Sequence, residues 1–155
     1  MVKLSQLLDP QCIKLNLEAR RKKDTIREMV DLLSQAGKIK DSQKVQEEII
    51  QREKMGTTGI GGGIAIPHIM TDQIQQTIMA FGRKKEGVKF DSLDEQPACL
   101  IFLLVGPKQD ARLHLKILCG LSRFLHNPQF KKSLLETQDE REIIRIFQHQ
   151  EEKEN

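Results

Sequence analysis

The chain has 155 residues, 30% of them charged, and a formal net charge of +3. That length suits one domain around one sizeable core. The near balance of charge, with no Trp or Tyr and six dispersed Phe, excludes a base-stacking nucleic-acid platform, and the longest apolar run, Ala98–Val105, falls far short of the roughly 20 residues a membrane helix needs.

Alternation of Ile13, Leu15 and Leu17 against polar neighbours predicts a first strand over Cys12–Leu17. A helix follows over Arg21–Ala36, where Ile26, Met29, Val30 and Leu33 recur at helical spacing and Gly37 supplies a stop. A second, partly exposed helix is predicted over Ser42–Lys54, with Asp41 as its N-cap. A glycine stretch then leads into a short strand, Ile64–His68, and another strand spans Thr77–Arg83. Residues 87–97 read as a turn-rich connection. The apolar run Ala98–Val105 has the length of a buried strand and ends at Gly106-Pro107. Helices are predicted over Asp110–Leu125, Phe130–Leu135 and Glu140–Gln148. Residues 1–150 are expected to form the single domain and residues 151–155 a charged, frayed tail. Strands interleaved with helices give an α/β layered class. The later connections are too short for helical crossovers, so the sheet is expected to be mixed.

No secretory leader pattern opens the chain. Cys12, Cys99 and Cys119 are odd in number and lack a C-x-x-C, which points to reduced thiols, and Cys99 and Cys119 are expected in the core. The basic runs Arg20–Lys23 and Arg83–Lys85 read as solvated surface.

Five of the ten glycines lie between Gly56 and Gly63. Glycine permits positive φ and close backbone approach, so the stretch fits a tight connection or an anion-binding nest of main-chain amides. It matches neither the P-loop nor the dinucleotide fingerprint. Pro67 fixes its own φ and keeps Ile66 extended, which presents His68 on a stiff strand end. An imidazole so placed is a competent nucleophile; a structural histidine bonded to backbone is the alternative. On the helix 110–125, His114 shares a face with Leu118, Leu121 and Leu125, near a helix N-terminus that disfavours imidazolium. It suits donation to a phosphoryl oxygen, or equally a core-edge role. Arg52 offers a guanidinium fork for phosphate oxygens, or a surface pair with Glu48. The two histidines lack the further ligands of a zinc site, so neither a metal nor another cofactor is expected.

The segment "REKMGTTGIGGGIAIPH", with "VKFDSLDEQPACLIFLLVGP" and "HLKILCGLSRFL", resembles the enzyme IIA domains of the bacterial phosphoenolpyruvate-dependent sugar phosphotransferase system, mannitol/fructose type. The resemblance covers most of the chain and implies a three-layer α/β/α sandwich with a mixed central sheet. It implies that His68 is phosphorylated on Nε2 by an HPr-like histidine phosphocarrier protein. It further implies that His114 assists beside the phosphoryl group and that Arg52 neutralises it. Thr58, Gly59, Gly61, Gly62 and Gly63 are expected to form a phosphoryl-binding loop around it. Ile64 and Ile69 are expected to rim the site for docking. Gly62 stands where the family commonly has Asn, which removes a side-chain amide from that loop. A stand-alone, cytoplasmic IIA domain resembles the nitrogen-regulatory IIA proteins, acting on regulatory target proteins. The alternatives are a sugar-specific component that relays phosphate to a IIB protein and a non-phosphorylated regulatory binding module.

Overall fold

The computed structural model describes residues 2–154. Its centre is β6 (Ala98–Pro107), the apolar run read from the sequence. Beside it lie β1 (Ile13–Lys14), β2 (Gly59–Gly61), β3 (Ile64–Ala65), β4 (His68–Thr71) and β5 (Ile78–Val88). The order is β1-β5-β6-β3-β2, and β4 also pairs with β6, beyond the end of β3. β5 runs antiparallel to β6, whereas β1 runs parallel to β5, and β3 and β4 run parallel to β6. The sheet is therefore mixed, as the short connections require.

Because strand side chains alternate, β6 feeds two cores. Leu100, Phe102 and Leu104 face one side, under α3 (Ala111–Leu125), α4 (Pro128–Glu136) and α5 (Glu140–Lys153). Ile101, Leu103 and Val105 face the other, under α1 (Lys22–Gln35) and α2 (Ser42–Lys54). Three layers result. Five phenylalanines dispersed in sequence condense on the α3–α5 side, with Phe81–Phe102 ring centroids 4.9 Å apart and Phe130–Phe147 5.0 Å apart and edge-on. Such geometries add to burial. The helix starts follow their caps. Asp41, Asp110, Asn127 and Asp139 each accept a backbone N–H from the first turn that follows, and those donors would otherwise have no intrahelical partner.

Several expectations are corrected. The first strand shrinks from Cys12–Leu17 to Ile13–Lys14, because Pro10–Cys12 forms a 3₁₀ turn and the Leu15 carbonyl accepts from the Arg83 side chain. Leu15 and Leu17 consequently enter opposite cores. β5 continues past Arg83 through a bulge, pairing Val88 with Ala98. Arg83 is fully buried, not solvated, and Lys22 of the other basic run is mostly buried against Glu53, 2.6 Å away. Cys119 is exposed and Cys99 half-buried, while Cys12 is buried. α5 continues to Lys153, into the segment expected to fray. Glu151 accepts from the backbone and hydroxyl of Ser5 at 3.1 and 2.5 Å, which ties that end down.

Candidate functional site

β4 pairs with β6 alone, so its outer edge opens into the gap between α2 on one face of the sheet and α3 on the other. A cavity of about 900 Å³ occupies that gap, lined by His68, His114, Arg52, Met55, Ile69, Met70 and Lys108, with Lys44, Glu47, Glu48 and Gln51 along α2. Three residues distant in sequence, His68, His114 and Arg52, thus share one cavity.

His68 opens β4 and is half-buried. The chain entering it is fixed on both sides: Ile66 N donates to Thr58 O at 3.0 Å, and Leu104 N donates to Pro67 O at 3.0 Å. His68 Nδ1 lies 2.7 Å from the Ile66 carbonyl. A carbonyl only accepts, so Nδ1 carries the proton and the lone pair of the neutral ring resides on Nε2.

His114, in the first turns of α3, is 5% exposed. Its ring centroid is 5.5 Å from that of His68, with the planes inclined at 50°. Among the described residues, neither ring nitrogen has a hydrogen-bond partner. Burial, with His68 as a lesser cause, lowers its pKa from 6.5 to about 4, so the ring is neutral at physiological pH. The unfolded chain therefore binds the extra proton between about pH 4 and 6.5. This contribution to stability is complete above pH 6.5 and is lost as pH falls toward 4. At pH 5 it amounts to about 2 kcal/mol less stability than at pH 7. Urea unfolding at the two pH values measures the loss, and a His114→Gln variant is expected to flatten it.

Arg52 sits in the last turn of α2 and donates to the Gly56 carbonyl at 3.0 Å. No ion pair joins it to Glu48; that carboxylate accepts from Thr71 at 3.0 Å instead. Lys108 lines the same cavity, 3.4 Å from the exposed Asp72 carboxylate.

The glycine stretch lies elsewhere. Thr58, Gly59, Gly61, Gly62 and Gly63 do not line the His68 cavity. The stretch forms a tight β2–β3 connection, with Gly61, Gly62 and Gly63 at φ of 93°, 65° and 81°, values that disfavour other residues. Three of its amides are engaged by side chains. Thr58 N donates to Glu53 at 3.0 Å, Gly59 N to the Thr57 hydroxyl at 3.0 Å and Gly62 N to Asp94 at 2.9 Å. The backbone N–H groups of Gly62 and Gln96, the latter donating to Asp94 at 3.1 Å, hold the Asp94 carboxyl below its ordinary pKa. Gly62 also accepts from Lys131 at 2.5 Å, and a Cβ on it would stand 3.3 Å from that ammonium. A side chain at position 62 would therefore start out beside Lys131.

The rim also differs from expectation. Ile64 and Ile69 are 5% and 7% exposed, whereas Met55 and Met70 are 85% and 41% exposed. Met70 carried a signal, since residues two apart on a strand share a face; Met55 and Lys108 follow element ends and carried none. Among the described residues, no group of three or more His, Cys, Asp or Glu gathers as a metal site would require, and no helix is long and apolar enough to cross a membrane.

Comparison with known proteins places these features in context. The sequence profile for "Phosphoenolpyruvate-dependent sugar phosphotransferase system, EIIA 2" matches residues 6–150. A fructose-specific EIIABC component of Bacillus subtilis is 43% identical over 94% of this chain, which spans only 23% of that protein's length. A fructose-specific EIIA component of Haloferax volcanii is 34% identical over 90% of this chain and 91% of its own. The crystal structure of the nitrogen regulatory protein IIA-Ntr from Neisseria meningitidis superposes with a TM-score of 0.87 at 32% identity, covering 93% of this chain and 98% of that one.

Proposed function

From the premise that this chain belongs to the EIIA 2 family of the phosphoenolpyruvate-dependent sugar phosphotransferase system, we propose that it carries a phosphoryl group on Nε2 of His68. The observation that carries the reading is the bond from His68 Nδ1 to the Ile66 carbonyl at 2.7 Å, which leaves Nε2 as the nucleophilic nitrogen of a ring that borders an open cavity.

The donor is a small histidine phosphocarrier protein. The Nε2 lone pair attacks phosphorus, the P–N bond of the donor breaks, and its electron pair stays on the donor imidazole. His68 keeps its Nδ1 proton, held by Ile66. Transfer between two imidazoles demands alignment and stabilisation of the equatorial oxygens more than covalent machinery. Neutral His114 donates one N–H to an oxygen, and its lack of protein partners leaves that donor unspent. The Arg52 guanidinium neutralises charge from the α2 wall. Exposed Met55 and Met70 offer an adaptable apolar rim for transient protein docking.

Two destinations for the phosphoryl group are supported. The likeness to the Neisseria protein supports nitrogen or metabolic regulation, in which phospho-His68 adds charge to an interface and changes its partners. The 43% identity to the Bacillus fructose component supports relay to a sugar-specific IIB protein. The test is incubation with phosphoenolpyruvate, enzyme I and the phosphocarrier, followed by mass spectrometry. An acid-labile phosphate on His68 is expected. Discharge by a fructose-type IIB protein would identify the relay; label retained in its presence but altering capture of a regulatory target would identify the switch. A wild-type chain that takes no label leaves the non-phosphorylated binding module.

A further inference from the structure

Buried polar atoms almost always have partners, so clustered exceptions need a physical account. Of the buried side-chain atoms that lack one, three belong to one place: both nitrogens of His114 and the Thr77 hydroxyl. Gly106 shows how they meet. A Cβ built on it would lie 2.8 Å from His114 Nδ1 and 3.6 Å from Thr77 Oγ1. The missing side chain leaves a notch in β6, the imidazole sits in it Nδ1 first, and the hydroxyl borders the same notch. Register agrees, since Ile78 pairs with Val105 and sets Thr77 beside Gly106 from the β5 side, while His68 belongs to β4, on the other flank of β6. The ring thus lies between a hydroxyl and the proposed phosphoryl-bearing histidine.

We propose that Thr77 is a positioning residue for His114: its hydroxyl donates to Nδ1 and so keeps the ring proton on Nε2, the nitrogen left for the His68 side. The inference rests on the reading of His68 as the phosphoryl carrier. The logic is that of any functional histidine, whose tautomer is set by the bond its other nitrogen makes. With Nδ1 protonated instead, Nε2 would present a lone pair to phosphoryl oxygens and repel them. A hydroxyl suits the role because its hydrogen rotates freely to meet an acceptor. Thr77 Oγ1 and His114 Nδ1 are not hydrogen-bonded to each other in the structure, so the proposed bond forms by movement of the ring or of the Thr77 side chain.

The experiment compares wild type, Thr77→Val and Thr77→Ser by ¹⁵N-resolved NMR of the His114 imidazole and by the rate of phosphoryl acceptance from the phosphocarrier. Wild type is expected to show the Nε2–H tautomer. Valine keeps the shape and removes the donor, so it gives a mixture of tautomers and slows acceptance at least about threefold. Serine restores both. Should the valine variant fail to fold, Thr77→Ala carries the same two readouts. His114 nitrogen shifts that are unchanged in the variant overturn the proposal, whether or not the rate falls, and so does a wild-type ring protonated on Nδ1. The two readings fail separately: a wild type that takes no label on His68 refutes the carrier, whereas a labelled His68 with an indifferent His114 refutes only Thr77.

Discussion

In a His68→Ala variant, incubation with phosphoenolpyruvate, enzyme I and the phosphocarrier is expected to leave the chain unlabelled, below about 1% of the wild-type rate, because the covalent intermediate has no nitrogen to form on. The neighbouring histidines cannot substitute. His114 is 5% exposed and presses Nδ1 against the sheet, and His126 and His149 lie at the far end of α3 and on α5, outside the cavity. Folding should survive. His68 is half-buried, and among the described residues its ring bonds only to the Ile66 carbonyl, two residues away, so loss of the ring costs about 1 kcal/mol. That lowers the midpoint of thermal unfolding by roughly 2–4 °C in a chain of this size. Phosphate recovered on another histidine of a folded His68→Ala chain would sink the assignment.

The largest loss of stability is expected from Arg83→Leu. Arg83 is fully buried on the α4 side of β5. Its Nε donates to Leu15 O at 3.1 Å, and one terminal nitrogen donates to the carbonyls of Leu134, Leu135 and Thr137 at 3.1, 3.1 and 2.5 Å. One side chain thereby satisfies the C-terminal carbonyls of α4, where a cation also complements the helix dipole, and pins the segment after β1. Burial lowers its pKa from the ordinary guanidinium value, but a guanidinium stays charged in proteins. Leucine fills part of the volume and strands the carbonyls, at a cost of about 3–5 kcal/mol. Lysine keeps the charge but not the fork, and should fall between. Urea denaturation of the three proteins decides the point; a leucine variant within 1 kcal/mol of wild type, on the scale of an ordinary surface change, would show that the carbonyls find other partners.

What could be read in advance follows from range. Helix spans came close because spacing and caps are local: Asp41 and Asp110 cap where their side-chain chemistry suggests. β6 was legible because a strand buried on both faces needs unbroken apolar character. Interruptions of the sheet were not. The end of β1 depends on Arg83, 68 residues away from Leu15, and the extension of β5 depends on where a bulge lets Val88 meet Ala98. In the candidate site, Pro67 and the helical face of His114 pointed through local geometry to the two histidines that share the cavity. The glycines left two readings open, a tight connection and an anion-binding nest, and the structure shows them in the β2–β3 connection. Their positive φ is real, and it serves a turn in which the Thr58, Gly59 and Gly62 amides are taken up by Glu53, Thr57 and Asp94; Asp94 is a long-range partner that no local pattern reveals. Arg83 looked solvated because adjacent lysines follow it, yet strand alternation alone sends it inward.

The bond between His68 and Ile66 has a kinetic corollary. If His68 carries the phosphoryl group as proposed, then with Nδ1 occupied one nitrogen both receives and releases it, facing the cavity at the β4 edge that His68 lines. Donor and acceptor then contend for the same ground and cannot sit on the carrier together. Exchange is expected to follow a ping-pong course, with parallel double-reciprocal plots, and an excess of unphosphorylated donor should act as a competitive inhibitor of the acceptor.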